Sequence, residues 1–536
     1  MNTSIQLPID ELRSDFLRAM SSHSQFIIHA PTGAGKSTRV PLWLLKWLTR
    51  EGNQQKLYLI QPRRIAAAAI ARQLAKHLNE TVGQTIGLRT RFDHIVSATT
   101  QIEVITEGLF VRFVQDNPGL DGVAGVIFDE FHERSIQLDM GLAFAIDCQQ
   151  AFRSSDNPLK LIVMSATLAA EQLKSKLDAP YLLRSEGRIF PVETVYRPKT
   201  KSHVSVELHV AEVVAEFIAQ DKKSALVFLP GMKEIRRVQR LLAAKNWGAS
   251  IVVAPLHASL SSAEQQLAIS AAQEGIRKIV LSTNVAETSL TIEGITTVID
   301  SGLARVPYFD QNKSISQLRT QMISQAAADQ RKGRAGRLSP GKCYRLWSNE
   351  LHHRLQKHEV PQILSDDLTP ALLEANLWGE PNLNNLTLLD YPKDKSIDAA
   401  RELLKELDAI RQNGQLSKRG ILMARMGVAP RLAAMCLEGK KTQSTSLAAS
   451  LAIILSEGNI PSEKRESDIL LRLSAMSEPR NKHNFDDKSL HRLFKLSKQL
   501  YRRLESSRPF LLGAVENHEG LLLHAFPDRI AKKRIG

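Results

Sequence analysis

Residues 30–38 read Ala-Pro-Thr-Gly-Ala-Gly-Lys-Ser-Thr. The apolar run Phe26-Ile27-Ile28 precedes them and a helical pattern, Val40-Pro41-Leu42-Trp43-Leu44-Leu45, follows, so the stretch reads as a strand, a glycine turn and a helix N-terminus. Backbone N–H groups and the helix dipole then converge on one point suited to a di- or triphosphate. Thr32, Gly33, Ala34, Gly35 and Thr38 would line that point, Lys36 would reach the β- and γ-phosphates, and the Ser37 hydroxyl would ligate Mg²⁺. Ala30 stands where such loops usually open on glycine, but the close approach to phosphate belongs to Gly33 and Gly35. A turn that binds nothing is the rival reading, and Gly-Lys-Ser-Thr after a buried strand disfavours it.

Two further groups of residues complete this chemistry. Asp129 and Glu130 end an apolar run. Mg²⁺ keeps most of its waters and needs only one or two carboxylates, so Asp129 would hold the ion with Ser37 while Glu130 orients and deprotonates an attacking water. Adjacent acids also cap helices; the Lys36 loop favours catalysis. The other group is Gln330-Arg331-Lys332-Gly333-Arg334-Ala335-Gly336-Arg337. Charge that builds on a transferring phosphoryl group is stabilised by arginines arriving from a facing domain. Arg334 and Arg337 are the candidates, with Gln330 holding the water; a basic glycine loop that only binds RNA is the alternative.

The elements that must position these residues follow from the pattern of apolar runs. Runs at 26–29, 57–60, 125–128 and 161–164 alternate with helical patterns, and a second set follows at 225–229, 251–254, 278–281 and 297–300. This is the signature of parallel sheets with helices on both faces. The polar stretch 197–202 reads as the linker between two tandem α/β domains. In such sheets ligands gather at the carboxyl ends of strands, where the motifs of both halves lie. From about residue 351 the texture turns helical, with a small domain whose Gln412-Asn413-Gly414 turn suggests a two-stranded wing, and then a bundle. The interval 481–505 interleaves basic residues with Leu and Phe, either as a solvated helix face or as one turned to nucleic acid.

Length and composition fit that reading. A chain of 536 residues exceeds the roughly 250 that one core supports. Its formal charge of +15 favours a polyanionic partner. The three cysteines, Cys148, Cys343 and Cys436, are far apart, which points to a reducing, cytoplasmic setting without structural zinc. No signal peptide or membrane-length apolar run is evident.

Taken together, the strings APTGAGKST (30–38), QPRRIAA (61–67), TEG (106–108), DEFHERS (129–135), SAT (165–167), FLPG (228–231), TNVAETSLTIEG (283–294) and QRKGRAGR (330–337) resemble the DEAH-box helicases of superfamily 2. PQILSDD (361–367) and GVAPRLA (427–433) extend the resemblance over nearly the whole chain, most like the bacterial HrpB-type RNA helicases. It implies RecA-like domains at 1–196 and 197–350, a winged-helix domain at 351–427 and a ratchet-like helical bundle at 428–536. It also implies an ATP-dependent RNA helicase that uses Mg²⁺ and ATP or other NTPs, moves on single-stranded or tailed duplex RNA, and works as a monomer. Arg63, Arg64, Arg89, Thr106, Gly231, Thr283 and Asn284 would contact the nucleic-acid backbone, and His132, Ser165 and Thr167 would couple nucleotide state to domain movement. The hairpin expected at 305–324 would sit where a duplex is parted. A DNA-directed helicase, or an RNA-binding assembly factor that uses nucleotide only as a clamp, are the competing functions.

Three departures from the family pattern carry expectations of their own. Phe131 replaces the usual Ala of Asp-Glu-Ala-His, and its ring should pack inward. Arg72 is the expected partner of the nucleotide base, but Leu303 stands where its stacking Phe would be, which weakens the grip on the base. The chain ends at Gly536 without the OB-like domain usual in the family, as a natural short form or a truncation.

Overall fold

The structure is a computed structural model that describes residues 6–529 except 92, 155, 167–169, 188–189, 200–202, 246, 249, 288–291, 311–314, 338, 458–467, 478–484, 486, 506–507, 511 and 513–517. Its first sheet contains β1 (Gln25–His29), β2 (Lys56–Gln61), β3 (Ile86–Arg89), β4 (His94–Ile95), β5 (Ile102–Thr106), β6 (Val123–Phe128), β7 (Lys160–Ser165) and β8 (Tyr181–Arg184). They lie in the order β4-β3-β5-β2-β6-β7-β1-β8, parallel throughout except for β3 with β4. The second sheet contains β9 (Val192–Tyr196), β10 (Ser224–Phe228), β11 (Ile251–Leu256), β12 (Arg277–Ser282) and β13 (Ile295–Asp300). The antiparallel hairpin of β14 (Leu303–Asp310) and β15 (Ile315–Met322) comes next, and then β16 (Gly341–Arg345). This sheet is wholly parallel, in the order β11-β12-β10-β13-β16-β9.

Both sheets are buried on two faces, as parallel sheets must be when their crossovers are helices. Every residue of β6 and β7 is buried. On one face of the first sheet, Val40, Trp43, Leu44 and Leu48 of the helix Lys36–Arg50 pack with Ile70 and Leu74 of Arg64–His77 over Leu57, Leu59 and Ile28. In the second sheet the period of two is explicit. Ala225 and Val227 join one core with Val214 and Phe217, while Leu226 and Phe228 join another with Val280 and Val298. Each fully buried Val, Leu or Phe among them contributes roughly 1.5–3 kcal/mol.

The expected tandem of parallel α/β lobes is therefore present. The boundary between them needs correction: β9 pairs with β16, so residues 192–196 belong to the second sheet and not to the first domain. As an edge strand of alternating polarity, Val-Glu-Thr-Val-Tyr lacks the continuous apolar run that marks a central strand. The chain divides into two compact units, Met1–Asp366 with Thr387–Asp390, and Asp367–Leu386 with Tyr391–Gly536. The first contains both sheets. The second is helical; in it the expected wing is a single antiparallel bridge between Ile410 and Leu416. Its helix Asp487–Leu504 buries Leu490, Leu493, Leu496 and Leu500 and exposes His491, Arg492, Lys495, Lys498 and Arg502; Arg480, Lys482 and His483 lie outside the described residues. Among the described residues no single helix is long and apolar enough to cross a membrane.

One packing constraint ties the second sheet to the basic loop. A Cβ on Gly341, at the start of β16, would lie 2.4 Å from the Ala335 carbonyl oxygen. Gly341→Ala is therefore expected to destabilise the protein by about 1–3 kcal/mol in denaturant titrations, whereas Gly52→Ala, with nothing within 4 Å, should lose only the smaller amount due to its φ of +69°.

Candidate active site

β1 delivers the chain into the loop 30–35, and the helix Lys36–Arg50 leaves it. Gly33 and Gly35 have φ of +87° and +98°, values that other residues rarely adopt. The Ala34 carbonyl accepts the Ile9 N–H at 3.1 Å. In a trans peptide this turns the Gly35 N–H to the side away from Ile9. Ala30 is fully buried, bonded through its N–H to Ser165 O at 3.2 Å, and lacks a positive φ, so the missing glycine leaves no strain. The Lys36 ammonium donates to the carbonyls of Ala30 and Pro31. It is 4% exposed; burial lowers its pKa, against the opposing pull of Glu130 and Asp129. Thr32 and Ser37 are half-buried, and Thr38 caps back onto Gly35 O at 3.2 Å.

The acids sit at the end of β6, beside this loop. Asp129 is fully buried and accepts the Gln61 amide at 2.6 Å and the Glu130 N–H at 2.9 Å, while the nearby Ser37 hydroxyl favours its charged form. Burial, and then the neighbouring Glu130, push its carboxyl up to about 6. Glu130 and Arg134 both adopt left-handed backbone, with φ of 50° and 48°, on either side of the short turn Phe131–Glu133. Each costs roughly 1–2 kcal/mol, so the surroundings must hold the turn. The Phe131 ring packs inward, edge-on to Phe128, as expected. Beyond it, His132 Nδ1 lies 3.6 Å from Glu130 Oε2 and accepts the Ala166 N–H at 3.4 Å. Accepting there requires a neutral ring, and burial lowers its pKa in that direction.

The basic loop faces the same point from the second lobe. A Cβ on Gly33 would lie 3.1 Å from Arg337 Nε, and one on Gly333 would lie 3.8 Å from Thr32 Oγ1. Arg334 is buried and donates to the Glu287 carbonyl at 2.9 Å. Burial and then Arg337 press its pKa well down; burial brings that of Arg337 to about 10, with Glu130 opposing. Two guanidinium groups held where burial disfavours their charge make a site that an anion would stabilise. Arg331 plays a structural part instead. It is 1% exposed, paired with Glu287 and Asp300 at 2.9 Å each, and lies over Phe228. Gln330 is half-buried on the same helix, Gln325–Gly333.

The residues expected on nucleic acid are more dispersed. Arg63 donates to Glu133 at 3.0 Å and to the Asn284 carbonyl of the second lobe, a bond that joins two of the expected contact residues across the lobes. Arg64 is exposed, and Thr106 ends β5 level with Gln61. Arg89 is bound by the buried Glu103 at 2.6 Å, a carboxylate also shared with Lys56. Thr283 caps the Val285 N–H, and Gly231 opens the helix Met232–Ala243 under Arg305, whose guanidinium a Cβ there would displace. Arg72 is exposed, while Leu303 opens β14 opposite Met322. Ser165 is buried at the end of β7; Thr167 lies outside the described residues. Sequence reasoning assigned no role to Gln61, Glu133, Ser135 or Glu287, although each lies inside a quoted motif string.

Comparison with known proteins agrees with this geometry. The DEAD/DEAH box helicase family matches residues 12–175, and the helicase conserved C-terminal domain matches residues 209–339. The chain thus carries a DEAD/DEAH box helicase domain and a helicase conserved C-terminal domain, folded as two RecA-like domains and followed by a helical region. It is similar to the ATP-dependent RNA helicase HrpB of Escherichia coli, at 41% identity over 98% of this chain and 62% of that protein. A HrpA homolog of Haemophilus influenzae is 33% identical over 80% of this chain and 33% of its own length. The crystal structure of the E. coli DEAH/RHA helicase HrpB superposes with a TM-score of 0.87 at 40% identity, covering 98% of this chain and 64% of that one. A second, of the E. coli DExH-box NTPase HrpB, gives 0.83 and covers 63% of that chain. The chain thus spans less than two thirds of the length of these relatives.

The raised Asp129 pKa has a definite sign in metal- and nucleotide-free buffer. The carboxyl titrates near 6 when folded and near 3.8 when unfolded, so its ionisation opposes folding increasingly between those values and by a constant amount above them. Asp129→Asn, whose amide can keep a bond to Gln61, is expected to match the parent near pH 4. Above pH ~6.5 it should be more stable by roughly 1–3 kcal/mol in urea titrations.

Proposed function

We propose that this chain is an ATP-dependent RNA helicase: an RNA-stimulated, Mg²⁺-requiring triphosphatase that couples hydrolysis to movement on single-stranded or tailed RNA and to separation of duplexes. The observation that carries the reading is Arg337 against Gly33, which lets groups of both lobes meet at one bound triphosphate. The names of the HrpB and HrpA relatives support the same activity. In this reading residues 1–191 and 192–350 are the RecA-like lobes, 351–427 a winged-helix-like segment and 428–536 a ratchet-like bundle. The protein acts as a monomer, and its three free, buried cysteines suit the cytoplasm.

The backbone N–H groups around Gly33 and Gly35, with Lys36, would hold the β- and γ-phosphates. Lys36 leaves the loop carbonyls for the phosphates, an exchange of neutral acceptors for charged ones. Ser37 and Asp129, which lie near one another, would supply the hydroxyl and the single carboxylate that suit Mg²⁺. When bound, the ion neutralises charge on the β- and γ-oxygens. Glu130 takes a proton from a water held by Gln330 as the water oxygen bonds to the γ-phosphorus. The bridging bond to the β-phosphate breaks, ADP leaves, and Arg334 and Arg337 stabilise the charge on the equatorial oxygens. Arg72 meets the base without an aromatic partner at Leu303, so other NTPs would also serve. Arg63, Arg64, Arg89, Thr106, Gly231, Thr283 and Asn284 would track phosphate and sugar, and His132, Ser165 and Thr167 would relay nucleotide state.

Steady-state ATP hydrolysis with and without poly-U RNA tests this directly. RNA should raise kcat several-fold or more, and a matched DNA strand should compete weakly. Glu130→Gln should still bind nucleotide but lose about 100-fold or more in turnover. Arg337→Ala should lose about 1,000-fold. An Arg337→Ala protein that hydrolyses ATP within twofold of the parent would remove the basis of the proposal.

A further inference from the structure

The four residues after Phe131 each grip a different part of the first unit. His132 bonds Ala166, Glu133 bonds Arg63, and the Ser135 hydroxyl donates to Glu107 at 2.6 Å. Arg134 reaches farthest along the chain. It makes two 3.0 Å bonds to the buried Asp139 and a 2.7 Å bond to Asp390, and its backbone carbonyl accepts the Gln362 N–H at 3.1 Å. Asp390 belongs to the Leu-Leu-Asp-Tyr-Pro stretch at 388–392, for which the hydrolytic chemistry has no use.

Two features make this bond more than packing. Arg134 is already neutralised by Asp139, which is 1% exposed, so the burial of its charge does not require a second carboxylate. Asp390 is 27% exposed in its side chain and contacts neither Asp129 nor Glu130 among the described bonds, yet it holds the residue that closes their turn in left-handed backbone. Thr387–Asp390 is also a short return of the chain into the first unit, flanked on both sides by residues of the helical unit. Any displacement of that unit is delivered covalently to Asp390.

We propose that Arg134 is a positioning residue through which Asp390 and the Pro361–Gln362 step act on Glu130, so that nucleic-acid stimulation of hydrolysis depends on the Arg134–Asp390 pair while basal hydrolysis does not. The proposal rests on the reading of Glu130 as the acid that activates water. Asp390→Asn removes the charge and keeps the shape. Gln362→Pro deletes the other ties, the N–H bonded to the Arg134 carbonyl and the side-chain oxygen that accepts the Ile136 N–H at 3.4 Å. Proline is accommodated there because residue 362 is the first of its helix and Pro361 already has φ −54° and ψ 137°.

The test is steady-state ATP hydrolysis by the full chain, without RNA and at saturating poly-U, with thermal melts and poly-U affinity measured on the same preparations. Both variants should melt as the parent does within a few degrees and keep basal kcat, KM for ATP and RNA affinity within twofold. Their RNA-stimulated kcat should fall about tenfold. Stimulated rates within twofold of the parent in both variants overturn the proposal. So does a parallel loss of basal and stimulated rates in folded protein, which would make the pair a plain support of the acids. Weakened RNA binding with a full rate at saturation overturns it as well, because Asp390 would then belong to the RNA site. A parent protein that RNA does not stimulate at all overturns the proposed function itself, an outcome visible before either variant is measured.

Discussion

The approach of the Arg337 side chain to Gly33 is the constraint on which the rest of the structure depends. A loop from one lobe can present guanidinium groups to the phosphate loop of the other only if that loop has no side chain at the point of contact, and a Cβ on Gly33 would crowd Arg337 Nε at 3.1 Å. Gly33 is thus fixed twice, by its φ of +87° and by its neighbour across the lobes. The electrostatics agree. Lys36 and Arg334 are buried and Arg337 is half-buried, and burial disfavours the positive charge of all three as it disfavours the negative charge of Asp129. Such opposed strains in one place are relieved by a ligand that carries negative charge on one side and a divalent cation on the other.

The acids themselves are held by a strained turn. Glu130 and Arg134 occupy left-handed backbone without being glycine, and the turn between them survives because its residues are tied elsewhere. The ties reach β7 through His132, the start of the helix after β2 through Arg63, and residue 390 through Arg134. A few hydrogen bonds thus connect each of these elements to the turn that carries Glu130.

Much of this was legible in the sequence, for reasons that differ by element. β6, β7, β10 and β12 are buried on both faces and appear as continuous apolar runs. β5 is less visible because Glu103 interrupts it, and that charge is tolerated only since Lys56 and Arg89 reach it from neighbouring strands. β9 and β16 alternate in polarity and are joined by the Lys342–Glu193 ion pair, so their place in the second sheet emerges only from pairing. The catalytic candidates were readable because each motif is contiguous and lies at the end of a strand or helix. Their partners were not: Gln61 meets Asp129, Asp300 meets Arg331 and Asp390 meets Arg134 across tens to hundreds of residues, distances over which residue type alone carries no signal.

The most direct measurement of the central claim is a crystal structure of the protein with ADP, Mg²⁺ and aluminium fluoride, the fluoride standing in for the transferring phosphoryl group. Arg334 and Arg337 of the second lobe and Lys36 of the first should all hydrogen-bond to the same fluoride group. A complex in which first-lobe residues alone touch the fluoride, with both arginines turned away, would contradict the shared-phosphate reading.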